Sequence, residues 1–144
     1  MNVMDLNVPE RNVYFGLTEL THMCHGASYS AGWWEDLNSG IDLRDEVRNG
    51  TRFGKALVAE KLVLIHSEIS EAMEGARKNL KDDKLPQHSM LMTELADAVI
   101  RIADLVGAIG QEDFAQILLE KLAFNRVRPD HKIENRIADG GKAF

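Results

Sequence analysis

The stretch Lys55–Asn79, KALVAEKLVLIHSEISEAMEGARKN, decides how the chain folds. Its apolar residues recur every three or four positions, which is the spacing of one face of an α-helix. Pro86 follows soon after, and proline disfavours helical backbone in the residue that precedes it. The pattern therefore predicts a long amphipathic helix, whose apolar side consists of Ala56, Leu57, Leu62, Val63, Ile65, Ile69, Ala72, Met73 and Ala76.

Three further helices are predicted on either side of this one. Apolar residues recur at helical spacing over Val13–Ser30, Gln87–Ile109 and Asp113–Val127. The segment 33–54 is rich in glycine and asparagine, which predicts a long irregular loop with one short turn at Ile41–Val47. A connection this long is usually a functional lid or a disordered segment. The sequence thus predicts an all-α bundle of four main helices with a long loop after the first.

Length and composition suit one soluble domain. The 144 residues are enough for a single core, and we expect a leader at 1–12, a helical domain at 13–130 and a tail at 131–144. The single cysteine, Cys24, cannot form an internal disulfide and fits a reducing compartment. No secretory signal and no apolar run of about 20 residues is present. We therefore expect a cytoplasmic protein without a membrane partner.

The charge balance bears on the kind of ligand. A formal net charge of −6 without a dominant basic patch makes nucleic-acid duplex an unsuitable partner, because duplex binding requires many phosphate-neutralising cations. An acidic protein can still bind a polyphosphate when a metal ion supplies the positive charge.

Two pairs of carboxylates mark the candidate site. Glu68 and Glu71 lie on the second predicted helix, and Glu94 and Asp97 lie on the third. A spacing of i, i+3 puts both acids of a pair on one face of a helix. Each pair has apolar neighbours on that face, and two helices joined by a short linker pack antiparallel, so the pairs can face each other. Four carboxylates gathered in that way are poorly solvated without a counter-ion.

The chemistry of this set favours a hard divalent cation. Oxygen ligands without cysteine or an obvious histidine partner suit Mg²⁺, with Mn²⁺ as a substitute, better than Zn²⁺. The alternative is that the acids are solvated and pair with Lys61, Lys78 or Arg101. Two pairs on adjacent helices, both beside apolar residues, favour the metal site over that alternative.

These motifs resemble a known family. LVLIHSEISEA at 62–72, followed by Glu94-Leu-Ala-Asp97, is similar to the EExxE and ExxD motifs of the MazG-like nucleoside triphosphate pyrophosphohydrolases. The resemblance covers roughly residues 13–144. The sequence departs from the fullest form of the motif at Ser67, where many members have a glutamate.

The resemblance implies an activity and a site. It implies an enzyme that cuts a nucleoside triphosphate into the monophosphate and pyrophosphate, with one to three Mg²⁺ ions held by Glu68, Glu71, Glu94 and Asp97. A metal-activated water would attack the α-phosphorus, and Glu68 or Glu71 would take its proton. Members of this family assemble as homodimers or homotetramers, which we also expect here.

A second group of residues resembles the phosphate-binding segment of the same family. It contains Lys121, Asn125 and Arg128, which share one helical face, and the later Lys142. Two cations and an amide in a row suit phosphate oxygens. The alternative is a helix C-terminus that carries cations because of its dipole; the resemblance favours phosphate binding.

Aromatic and imidazole side chains are the candidates for base or sugar contact. Trp33 and Trp34 follow a glycine at the start of the predicted loop, and either can stack on a base or fill the core. His22 and His25, one helical turn apart, can bond a base or sugar, although helix histidines without a ligand are commoner. With these residues a purine such as dGTP is the expected base.

Three other functions fit parts of this sequence less well. A phosphoribosyl-ATP pyrophosphatase of the same superfamily would differ only in its substrate. A carboxylate-bridged di-iron bundle normally has Glu-x-x-His pairs, which this chain lacks at Glu71 and Asp97. A non-catalytic helical interaction module would use the acids structurally and would bind neither Mg²⁺ nor a nucleotide.

Overall fold

The protein is almost entirely helical. A computed structural model describes residues 3–141. Two-residue strands β1 (Glu35–Asp36) and β2 (Ile41–Asp42) form an antiparallel hairpin, and 3-10 turns occupy Val3–Asp5 and Pro129–His131. The α-helices are α1 (Val8–Ser30), α2 (Leu43–Arg48), α3 (Arg52–Lys78), α4 (Met90–Ile109), α5 (Phe114–Val127) and α6 (Ile133–Arg136). The predicted all-α class and its four long helices are confirmed.

The chain divides into two compact units. One is Glu19–Glu112, which contains α1 from Glu19 onward, the hairpin, α2, α3 and α4. The other combines the residues up to Thr18 with those from Asp113 onward, and it buries Leu6, Ala115 and Leu119. Over residues 3–141, no helix combines the length and apolar character that a membrane span requires.

Helices α3 and α4 pack against each other and form the frame of the larger unit. Thr51 caps the start of α3 by accepting a hydrogen bond from the Gly54 N–H, and Asn79 ends that helix in the left-handed conformation at φ 53°. Close packing of α3 on α4 requires a glycine: a Cβ on Gly75 would stand 2.9 Å from the Leu91 nitrogen. The two helices that carry the acidic pairs are therefore in direct contact.

Helix α1 begins at Val8, earlier than the prediction of Val13. Asn7 accepts a hydrogen bond from the Glu10 N–H, and the Glu10 carboxylate accepts one from the Asn7 N–H. This reciprocal capping box starts the helix, and Pro9 is tolerated because the first turn has no intrahelical use for its missing N–H. The helix therefore starts five residues before the predicted Val13.

The segment after α1, predicted as a long irregular loop with a short turn at Ile41–Val47, contains the hairpin and α2. The hairpin turns through Asp36, whose side chain accepts hydrogen bonds from the N–H groups of Asn38 and Ser39, and through Gly40 at φ 70°. Asp42 then caps α2 by accepting from the Arg44 N–H. Hydrogen bonds to capping side chains thus stabilise regular structure in this segment. Apolar periodicity gives no sign of such caps.

The core of the larger unit is centred on Trp34, Leu105 and Ala108. Helix α1 reaches α4 beside this core, where a Cβ on Gly107 would come within 2.5 Å of the His25 side chain. Only glycine permits that approach, which brings His25 next to Asp104. Partly buried residues complete the core: Leu43, Val47, Val58, Ile65 and Ile109.

Candidate functional site

Three carboxylates from α3 and α4 converge on one point. Glu68, Glu94 and Asp97 each offer an oxygen, and these oxygens lie within 4.8 Å of one another. Glu68 and Glu94 are buried, at 6% and 9% exposure, while Asp97 is exposed. The i, i+3 spacing on two packed helices thus gathers acids where solvent screens them poorly.

Glu71 lies outside this group of three. It is an exposed residue one turn after Glu68, although its negative charge still reaches Glu94 and raises the pKa of that carboxyl. The structure therefore brings together three of the four predicted ligands and places the fourth beside them.

An arginine already pairs with one of the acids. Arg101 Nε donates to Glu68 Oε1 at 2.6 Å, and the Glu68 side chain is 8% exposed whereas that of Arg101 is 43% exposed. Arg101 follows Asp97 by one turn of α4. Helix α4 therefore carries both an acid of the cluster and the cation that pairs with Glu68 on α3.

The pKa of Glu94 is shifted strongly by its surroundings. The pKa of Glu94 is raised to about 7, mainly by burial and in addition by the hydrogen bond with Glu68 and the charges of Glu71, Glu68 and Asp97. Near neutral pH the Glu94 carboxyl is therefore partly protonated, beside the negative charges of its neighbours.

The donor set fits a hard divalent cation. All three converging groups are carboxylates, which Mg²⁺ and Mn²⁺ prefer, and no sulfur or imidazole ligand joins them among residues 3–141. A cation there would neutralise the excess negative charge that raises the pKa of Glu94.

A cavity of about 300 Å³ adjoins the acids. Asp97 belongs to both the carboxylate group and the cavity wall, so a ligand in the cavity would reach the acids. The cavity is at the lower end of the range for small-molecule sites. Its wall combines charged, aromatic and aliphatic side chains: Ser28, Trp33, Glu60, Lys61, Leu64, Asp97, Ile100, Arg101 and Asp104.

The two tryptophans have different environments. Trp33 lines the cavity and is 68% exposed. Trp34 is 1% exposed, and its Nε1 donates to Asp104 Oδ1 at 2.8 Å. Trp34 therefore fills the core, with the Lys61 ammonium 4.6 Å from its ring centre, and base contact by one tryptophan stays a prediction for Trp33.

The two histidines also lie away from the cavity surface. His25 Nδ1 is hydrogen-bonded to Asp104 Oδ1 at 2.9 Å, and its ring packs edge-on against Trp34 at 5.9 Å between centres. His22 is exposed on α1. Within the described part of the chain, the lining of the cavity includes Asp104 but neither histidine, so direct base contact by His22 or His25 is not supported.

The predicted phosphate-binding residues belong to the other unit. Lys121 Nζ lies 5.1 Å from the centre of the Phe124 ring, and Arg128 lies 6.0 Å from the same ring. Arg128 is held by Asp130 through two hydrogen bonds of 3.0 and 2.6 Å. The buried Asn125 Oδ1 has no hydrogen-bond partner among residues 3–141. Lys142 lies outside the described residues.

Sequence reasoning overlooked the cavity residues Lys61, Arg101 and Asp104. It placed Lys61 and Arg101 only as partners for surface acids and gave Asp104 no role. The signal was present: Lys61 precedes Glu68 by seven residues, and Arg101 and Asp104 follow Asp97 by four and seven. These spacings return to the same helical face.

Comparison with models of known protein families, with curated proteins and with solved structures gives no match. Fold and site therefore define the class of this protein: an all-helical chain with a carboxylate cluster and an adjoining cavity between packed helices.

Proposed function

We propose that the protein is a Mg²⁺-dependent nucleoside triphosphate pyrophosphohydrolase of the MazG-like type. The observation that carries this proposal is the convergence of Glu68, Glu94 and Asp97 at the edge of a cavity large enough for a small ligand. The substrate is a nucleoside or deoxynucleoside triphosphate, and the products are the monophosphate and pyrophosphate.

The carboxylates would hold the metal ion. When bound there, Mg²⁺ supplies charge for the phosphate oxygens and lowers the pKa of water. Glu68, Glu94 and Asp97 offer the ligand oxygens, and Glu71 lies close enough to influence the charge on Glu94. Release of Glu68 from Arg101 would leave the guanidinium available for a phosphate oxygen, which it binds well.

Glu71 is the better proton acceptor of the first pair. Glu68 is buried and paired with Arg101, whereas Glu71 is exposed and has no place in the group of three. An acid that is accessible and beside the cluster suits the removal of a proton from water.

The cavity would hold the nucleoside. Trp33 offers an exposed aromatic face on which a base can stack. Lys61 and Arg101 line the same cavity and provide cations near Asp97. Phosphate binding by Lys121, Asn125 and Arg128 stays a prediction from the resemblance.

Pyrophosphate release from the common NTPs and dNTPs, with and without Mg²⁺, tests this function. Glu71→Gln and Asp97→Asn should lower turnover by more than the roughly 10- to 100-fold that loss of an outer-shell partner costs. Glu74→Gln is the matched control on α3, because Glu74 pairs with Arg77 on its own helix instead of joining the cluster. Near-wild-type turnover of Asp97→Asn, with a normal circular-dichroism spectrum, would refute the assignment.

We also propose a homodimer or homotetramer. Large apolar side chains on α3 and α4 are exposed in the single chain, among them Val63 at 68%, Met92 at 61% and Met73 at 57%. Where such side chains form a contiguous apolar patch, they mark an interface in soluble proteins. Light scattering coupled to gel filtration should give a mass of two or four chains, and a monomer at micromolar concentration would contradict this.

A non-catalytic interaction module is the second candidate, and the same exposed apolar side chains favour it. Calorimetry distinguishes the two. An enzyme of the proposed kind binds Mg²⁺ together with a non-hydrolysable nucleotide, whereas a scaffold binds neither.

A further inference from the structure

We propose that Asp104 selects a nucleobase that carries an exocyclic amino group. This inference rests on the proposed nucleotide-binding function and deepens it by naming the class of base. Its basis is the placement of one buried carboxylate in the cavity wall, with one oxygen already bonded to the protein and the other left for a ligand.

The carboxylate of Asp104 is held rigidly. Its side chain is 10% exposed, and Oδ1 accepts from Trp34 Nε1 at 2.8 Å and bonds His25 Nδ1 at 2.9 Å. These partners come from two different segments: Trp34 directly precedes β1, and His25 lies on α1. The close packing at Gly107 keeps the His25 ring against α4. Such a carboxylate cannot turn away from a ligand that fits it poorly.

The second carboxylate oxygen of Asp104, Oδ2, does not take part in these hydrogen bonds. Both bonds fall on Oδ1, and no hydrogen bond to Oδ2 occurs among residues 3–141. Asp104 nevertheless lines the cavity that Trp33 also lines. Oδ2 is therefore an acceptor available to a base that stacks on Trp33.

An acceptor discriminates between amino and carbonyl groups. The amino group of cytosine, adenine or guanine donates to a carboxylate oxygen, whereas the O4 carbonyl of uracil or thymine repels it. A buried acceptor also loses its hydrogen bond to water when the wrong base enters. Cytosine and uracil nucleotides differ only in the C4 substituent and the hydrogen on the adjacent N3, so they form a closely matched pair of probes.

Glu60 is the competing carboxylate, since it lines the same cavity. It is exposed on α3, and no hydrogen bond that holds its side chain is found over residues 3–141. A flexible, hydrated carboxylate discriminates weakly between donors and acceptors, so we assign the selection to Asp104.

The test compares dCMP with dUMP, and dAMP with dIMP, by calorimetric binding to the full chain. Asp104→Asn keeps an oxygen for Trp34 and His25 and presents an amide N–H₂ to the cavity. Wild-type protein should bind the amino-bearing member of each pair on the order of 10-fold more tightly. Asp104→Asn should bring the ratio to about one or below, and Glu60→Gln should leave it unchanged. The far-UV circular-dichroism spectrum and the thermal midpoint report whether the fold is intact.

Several outcomes of this binding test would overturn the proposed role of Asp104. A wild-type preference for the carbonyl base, an equal affinity for both, or no binding of any monophosphate overturns the role of Asp104. A ratio that shifts in Glu60→Gln and not in Asp104→Asn overturns it as well. Absence of pyrophosphate release from every triphosphate, with base-selective monophosphate binding retained, would refute the hydrolase proposal and leave this one standing.

Discussion

Removing the charge of Glu94 should stabilise the metal-free protein. The perturbation is Glu94→Gln, which keeps the size of the side chain and its ability to donate a hydrogen bond to Glu68. The pKa of Glu94 is raised from 4.5 to about 7. Between those values the folded protein binds more protons than the unfolded chain, so the free energy of unfolding falls as the pH rises.

The size of the effect follows from that difference. A tenfold change in proton affinity corresponds to about 1.4 kcal/mol. At pH 8, where Glu94 is ionised in both states, its charge therefore lowers the free energy of unfolding by up to about 3 kcal/mol. At pH 4 it is protonated in both states and the cost vanishes. For a chain of this length 3 kcal/mol corresponds to roughly 10 °C in Tm.

Thermal unfolding at pH 4 and pH 8 in EDTA measures this directly. Glu94→Gln should unfold up to about 10 °C above wild type at pH 8 and at the same temperature at pH 4. Glu74→Gln, outside the cluster, should show no such dependence on pH. Mg²⁺ at pH 8 should raise the Tm of wild type more than that of Glu94→Gln, because a ligand that binds only the folded state stabilises it. A lower Tm for Glu94→Gln at pH 8 would refute the reasoning.

Two further predictions concern packing and capping. Gly107→Ala should lower the free energy of unfolding by about 1–3 kcal/mol, since its Cβ would stand 2.5 Å from His25; urea denaturation measures this. Gly16→Ala, which has nothing within 4 Å, is the control and should stabilise by up to about 1 kcal/mol, so equal effects at both glycines would contradict the role of close packing. Asp113→Ala should cost about 1 kcal/mol in the same assay, because Asp113 caps α5 and accepts from the Tyr14 hydroxyl at 2.5 Å; an unchanged midpoint would show that the cap is dispensable.

Apolar periodicity predicted the long helices because it reflects burial directly. The predicted α5 bounds and the end of α4 at Ile109 agree with the structure. The acidic pairs were found by the same rule, since i, i+3 spacing fixes a helical face whatever the residue type. Burial of Glu68 and Glu94 follows from their apolar neighbours on that face.

The remaining features depend on contacts between distant segments. Nothing local distinguishes Trp33 from Trp34, and only packing against Leu105 and Ala108 encloses the second ring. His25 and Asp104 are 79 residues apart, so their pairing follows from the approach of α1 to α4. The hairpin was not predicted, because its backbone is held by hydrogen bonds to the side chains of Asp36 and Asp42. A search for apolar spacing treats such polar residues as loop.

The Glu68–Arg101 pair has a consequence for biogenesis. A guanidinium on one acid and a proton on Glu94 partly substitute for the cation that the three carboxylates would otherwise require. If the cluster binds Mg²⁺ as proposed, a newly synthesised chain would complete its fold in a medium depleted of divalent ions and bind the metal afterwards, unlike small zinc domains that unfold when chelated.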